Sequence, residues 1–146
     1  MKIDLPEAPS PVSVGKLLCI GRNYADHAAE MQRAVPEEPM VFLKPASALI
    51  RTGEAVRLPP QSKNVHHEIE LVAVMGTEGK HIPEDKALDH VAAYAVGLNM
   101  TARDLQQEAK ERRQPWSVAK GFNTFAPPGP LRPPASVDTQ QAPPPR

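Results

Sequence analysis

The chain is poor in aromatic residues, holds a single cysteine and carries no excess charge of either sign. Each shortage closes off a class of protein. With aromatics at 4%, there is no stacking surface for single-stranded nucleic acid. Seventeen basic residues against seventeen acidic ones leave no electrostatic footprint for nucleic acid or an acidic membrane. Cys19 alone cannot close an internal disulfide and suits a reducing compartment. No apolar run reaches the length of a membrane span, and the opening MKIDLPEAPSPVS lacks the apolar segment of a signal peptide. A cytoplasmic domain is the expectation, and 146 residues suffice for one core.

Proline is the exception to this scarcity. Eight of the eighteen prolines fall in the last twenty residues, PPGPLRPPASVDTQQAPPPR. That text has no apolar period of either kind, so 127–146 is read as a disordered Pro-rich tail that contributes no packed element. Residues 1–15 are read as an N-terminal extension, and 16–126 as the folded portion.

Within 16–126 the pattern alternates between short strands and helices. KLLCIG (Lys16 to Gly21), MVFLK (Met40 to Lys44), His66 to Met75 and VAAYAVGLN (Val91 to Asn99) have the apolar, β-branched character of strands. ASALIRTGEAVRLP is consistent with a hairpin turning at Gly53. NYADHAAEMQR predicts a helix with Asn23 as cap, and a short helix is expected from Pro83. In TARDLQQEAKERRQ, Thr101 and Asp104 have capping-box spacing before a polar helix. The fold class expected is α+β, with strands from distant parts of the chain paired in one sheet system.

NVHHEIELVAVMG poses the chemical question. Glu68 and Glu70 stand two apart on one strand face, and burying two unpaired carboxylates costs several kcal/mol. A positive partner is required: a hard divalent cation, which takes oxygen ligands, or a Lys/Arg pair. Spacing leaves both open, along with a solvent-facing edge. His66 and His67 are read as shaping the site entrance or bonding the glutamates, not as zinc ligands. His27 and Glu30, three apart on one helix face, form either a general-base dyad or an ordinary surface pair. Arg22, Lys44, Arg103 and Lys120 stand among apolar or small residues, where a cation can hold a substrate carboxylate or simply be solvated. Gln106 shares a helix face with Arg103.

Five blocks carry a resemblance: CIGRNYADHAAEM, PEEPMVFLKPASALI, VHHEIELVAVMG, NMTARDLQ and PWSVAKGFNTFAP, running in order from Cys19 to Pro127. They resemble the fumarylacetoacetate hydrolase family, in its small acylpyruvate hydrolase and oxaloacetate decarboxylase branch. The resemblance implies a mixed β-sheet roll with peripheral helices. It implies that Glu68, Glu70 and a third position, here Asn99, bind Mg²⁺ or Mn²⁺. It further implies that His27 and Glu30 activate water, that Lys120 is catalytic, and that Arg22, Arg103 and Gln106 lie near a keto-acid substrate. The activity implied is hydrolysis of acylpyruvates through a metal-stabilised enolate. Oxaloacetate decarboxylation or tautomerisation, or 2-hydroxyhepta-2,4-diene-1,7-dioate isomerisation, are the alternatives, and a homodimer is implied for the complete protein.

Three features depart from the family pattern. Asn99 replaces the usual aspartate, and Asn123 stands where aspartate is common. The family's later strands and TGTP-x-GVG loop do not follow, so the roll is expected to be incomplete at its C-terminus, with the tail read as a frameshifted or premature ending. A non-catalytic fragment binding an intact subunit is the reading from another class.

Overall fold

A computed structural model describes residues 1–6, 10–21, 23 and 38–138. Arg22, His27, Glu30 and the helix expected from Asn23 to Arg33 therefore lie outside the described residues, Asn23 itself excepted.

Two antiparallel ladders dominate the described residues. β3 (Lys16–Gly21) pairs with β4 (Met40–Pro45), setting Leu18 opposite Leu43 and Ile20 opposite Val41. β6 (Ile69–Met75) pairs with β7 (Val91–Leu98), with a register shift at Val74/Met75. A minor pair, β1 (Lys2–Ile3) with β2 (Val12–Ser13), lies within the first fifteen residues. The fourth, β5 (Val65–His66) with β8 (Thr101–Ala102), brings the HHEIE block against the TARD block. A parallel bridge between Leu49 and Ala126 adds the other pairing sense. The helices are α1 (Arg103–Glu111) and the short α2 (Ser117–Lys120). The α+β expectation holds.

Several local expectations are corrected. The strand expected from His66 to Met75 is split at His67 and Glu68, so its two halves pair with different partners. Gly53 does turn the chain, at φ +88°, a conformation glycine adopts without a Cβ clash. No second hairpin strand follows it, because Leu49 pairs with distant Ala126 instead. Pro83 caps a 3₁₀ turn at Glu84–His90, not an α-helix. The capping box does not form either. Asp104 accepts hydrogen bonds from Ser62 Oγ (2.6 Å), the Lys63 N–H (2.8 Å) and the Leu105 N–H (2.9 Å), while Thr101 turns elsewhere. Asp104 thereby ties the 62–64 loop to the positive end of α1.

The proline-rich segment is also more structured than its composition suggests. Residues 127–132 run antiparallel along β7: the Pro127 carbonyl accepts from the Leu98 N–H (3.0 Å), the Gly129 N–H donates to Val96 (2.7 Å), and Tyr94 and Arg132 bond reciprocally at 2.8 Å. Backbone pairing needs no apolar period. Prolines supply carbonyls, and Gly129 and Arg132 supply the donors that proline lacks. Gly129 permits the approach, since a Cβ there would meet the Val96 carbonyl oxygen at 2.9 Å.

The core holds Met100, Ala102 and Phe125, with Val56, Val65, Leu98, Leu105 and Phe122 packed around them. Phe122 meets Phe125 edge-on, centroids 5.3 Å apart. At the centre lies a charged residue, Lys44, 2% exposed. Its Nζ donates to the carbonyls of Met100 (2.9 Å), Lys120 (2.6 Å) and Phe125 (3.1 Å). An ammonium has three protons, and each is taken. β4 is thus tied to the three segments that build the site. Burial, then the nearby Lys120 charge, lower its pKa to about 7.

Both anchors, Lys44 and Asp104, can be tested. Lys44→Met leaves three buried carbonyls unpaired and should cost roughly 3 kcal/mol or more of unfolding free energy. Between about 7 and the ordinary lysine value of 10.5, the folded chain binds fewer protons at Lys44 than the unfolded one. This residue therefore makes the fold more stable as pH rises through that window. Urea titrations across it should show that slope in the wild type and its loss in Lys44→Met. Separately, the Ser62 and Lys63 hydrogen bonds hold the Asp104 carboxyl below its ordinary 3.8. A ¹³C NMR titration should place its midpoint below that value, and Ser62→Ala should move it back up.

Candidate active site

The site forms where the β5–β8 and β6–β7 ladders meet. Glu68 and Asn99 exchange backbone hydrogen bonds, Asn99 N–H to Glu68 at 2.8 Å and the reverse at 3.3 Å. They are direct cross-strand neighbours, their side chains on one face. Glu70 lies two residues on, opposite Gly97, so its carboxylate reaches the same place. Thr101, two beyond Asn99, also joins that face.

Glu68 is the hub. Its Oε1 accepts from Arg103 Nη2 at 2.6 Å and from Thr101 Oγ1 at 3.4 Å. Its Oε2 accepts from Lys120 Nζ at 3.0 Å and from Asn99 Nδ2 at 2.8 Å. The same Nδ2 donates to Glu70 Oε1 at 3.3 Å, so both carboxylates converge on one amide. In this geometry, Lys120 and Arg103 supply the positive partner that the glutamates required.

Lys120 closes α2 and is 1% exposed. Beyond Glu68, its Nζ donates to Thr101 Oγ1 (2.6 Å) and Asn99 Oδ1 (3.3 Å). The ammonium also lies 4.9 Å from the centroid of the Phe42 ring, an additional favourable contact for a buried cation. Burial lowers its pKa, and the Glu68 charge opposes that shift. Removing Glu68 would leave the buried Lys120 ammonium without its counter-charge, at a cost of about 3–5 kcal/mol. Arg103 opens α1, and its Nη1 donates to the Oε1 of buried Gln106 at 3.1 Å. The expected shared helix face of Arg103 and Gln106 is observed as a hydrogen bond.

Of the nine site residues named from the sequence, the structure brings six together: Glu68, Glu70, Asn99, Arg103, Gln106 and Lys120. Arg22, His27 and Glu30 fall outside the described residues. His66 bonds Asn64 (2.8 Å), not a glutamate. Lys44, weighed as a substrate cation, is instead saturated by carbonyls. Thr101 was missed because capping-box spacing claimed it, although its alternation with Asn99 marked it for the site. Among the described residues, no three His, Cys, Asp or Glu side chains converge as metal ligands. The convergent oxygens of Glu68 and Glu70 nonetheless fit two ligands of a hard divalent cation.

The chain matches the C-terminal domain of fumarylacetoacetate hydrolase over residues 16–143. It is 47% identical over 122 residues to "Oxaloacetate tautomerase FAHD1, mitochondrial" of Arabidopsis thaliana, covering 84% of this chain and 55% of that protein. An uncharacterized protein of Pyrococcus horikoshii is 50% identical over 115 residues, covering 79% of this chain and 50% of that one. The chain spans about half the length of these curated relatives. Its fold is similar to that of fumarylpyruvate hydrolase from Pseudomonas aeruginosa in complex with Mn²⁺ and pyruvate. That likeness has a TM-score of 0.83 at 42% identity and covers 94% of this chain and 61% of the other. A 5-carboxymethyl-2-hydroxymuconate delta-isomerase from Mycobacterium smegmatis follows at TM-score 0.71 and 38% identity, covering 88% and 49%. A match at this identity over most of the described fold leaves one assignment: the chain belongs to the fumarylacetoacetate hydrolase family.

Proposed function

We propose that this chain carries the carboxylate and cation half of an active site that cleaves acylpyruvates, 2,4-diketo acids, between carbons. The observation that supports this reading is Glu68, held between Lys120 and Arg103 and converging with Glu70 on Asn99. Glu68 and Glu70 would hold Mg²⁺ or Mn²⁺, and the Mn²⁺ and pyruvate in the Pseudomonas aeruginosa relative favour both the ion and the substrate class. When bound, such an ion supplies Lewis-acid polarisation of a keto-acid oxygen.

The chain's own residues account for the rest. A guanidinium has five N–H donors, and among the described residues Arg103 donates to Glu68 and Gln106, which leaves donors for a substrate carboxylate. Gln106 holds that guanidinium in place. Lys120 would offset negative charge developing on an oxygen as the carbon–carbon bond breaks. His27 would take a proton from the water that attacks the distal carbonyl, with Glu30 stabilising the imidazolium and Arg22 of the GRNY block assisting. Cleavage then releases a carboxylic acid and pyruvate.

A second reading, oxaloacetate tautomerisation or decarboxylation, is favoured by the name of the Arabidopsis relative. It needs no hydrolytic water, so His27 would move a proton only. The complete protein would work as a homodimer.

Turnover of acetylpyruvate and oxaloacetate, each with Mg²⁺ and with Mn²⁺, separates these readings. Acetylpyruvate should be the better substrate. Arg103→Ala should lower kcat/KM by about ten- to hundredfold, the worth of one charged hydrogen bond, mainly through KM. A preference for oxaloacetate would establish the second reading, and turnover of neither would overturn both.

A further inference from the structure

Asn99 was expected to offer oxygen to a divalent cation, but its amide faces the other way. An ammonium can only donate, so Lys120 Nζ at 3.3 Å requires the Asn99 oxygen. Ionised carboxylates can only accept, so Glu68 at 2.8 Å and Glu70 at 3.3 Å require the nitrogen. All three contacts select one orientation. A half-turn would set NH₂ against ammonium and carbonyl against two carboxylates, replacing three attractions with three repulsions. The side chain is 7% exposed, so water cannot readily rescue the turned state.

Hard cations bind oxygen, not an amide NH₂. We propose that Asn99 obstructs the carboxylate pair instead of completing it: Lys120 locks its NH₂ between Glu68 and Glu70, in the place a divalent cation needs. The amide does part of a cation's work by bridging the two carboxylates, so the site stays assembled without metal. Binding Mn²⁺ means breaking the amide's bonds to both glutamates. Aspartate would have no such conflict, since one oxygen can accept from Lys120 while the other faces the ion.

This inference rests on the reading that Glu68 and Glu70 hold the ion, and one set of titrations separates the two. Binding of Mn²⁺ alone is followed by loss of the free-ion electron paramagnetic resonance signal, with no substrate present. Glu68→Gln and Glu70→Gln should each weaken binding; if neither does, the metal reading fails along with this one. Asn99→Asp should tighten binding under either role of Asn99, whereas Asn99→Ala divides them. An obstructing amide makes Asn99→Ala bind Mn²⁺ tighter, by roughly three- to tenfold, the net worth of one hydrogen bond. Unchanged or weaker binding overturns the proposal. Should Asn99→Ala fail to fold, the wild type decides by NMR. The Asn99 NH₂ protons should resonate downfield in metal-free protein and move upfield in Glu68→Gln, and an unmoved signal overturns the proposal.

Discussion

A buried ammonium must find three acceptors, and in this fold Lys44 finds them on three separate stretches of chain. The carbonyls of Met100, Lys120 and Phe125 all accept from its Nζ. Those residues adjoin or include the parts that build the site: Asn99 and Thr101 flank Met100, and Lys120 closes α2. Phe125 fills the core beside them. Were the tie removed, Lys120 would lose the backbone anchor that points its side chain at Glu68. The position of the charged centre is therefore set from behind, by a second cation that donates to backbone carbonyls, that of Lys120 among them.

Two buried lysines so close together repel, and the arrangement answers that cost differently at each. Lys44 is offset by carbonyl dipoles, and Lys120 by a full carboxylate charge and the Phe42 ring. Glu68 accordingly balances Lys120 and Arg103 together, while its carboxylate also accepts from Asn99 and Thr101. Such a hub holds its own geometry, and a substrate or ion entering here exchanges partners instead of filling an unmade site.

The sheets show the opposite economy at their outer faces. Leu18, Ile20, Val41 and Leu43 line one side of the β3–β4 ladder, all well exposed, and Ile69, Leu71 and Val96 do the same on β6–β7. Apolar strand faces of this extent are ordinarily covered. The matched part of this chain spans about half the length of the curated relatives.

Much of the site was legible because strand alternation and helical spacing are properties of the local chain. Glu68 with Glu70, and Arg103 with Gln106, share faces whatever surrounds them, and the sequence by itself determined those pairings. It also determined the strand character of 16–21, 40–44 and 91–98, where β-branched and apolar residues leave little alternative. Tertiary structure decided the rest. Thr101 had two uses open to it, capping a helix or bonding Lys120, and only the approach of α2 selected the second. Lys44 had the composition of a substrate cation, yet three carbonyls from distant segments made it a structural tie. Residues 127–132 have no apolar period, and they pair because the edge of β7 offers donors and acceptors. Asn99 could present oxygen or nitrogen, and the choice fell to Lys120, a residue 21 positions away. In each case the deciding partner is remote in sequence, and a hydrogen bond's direction depends on that partner's chemistry.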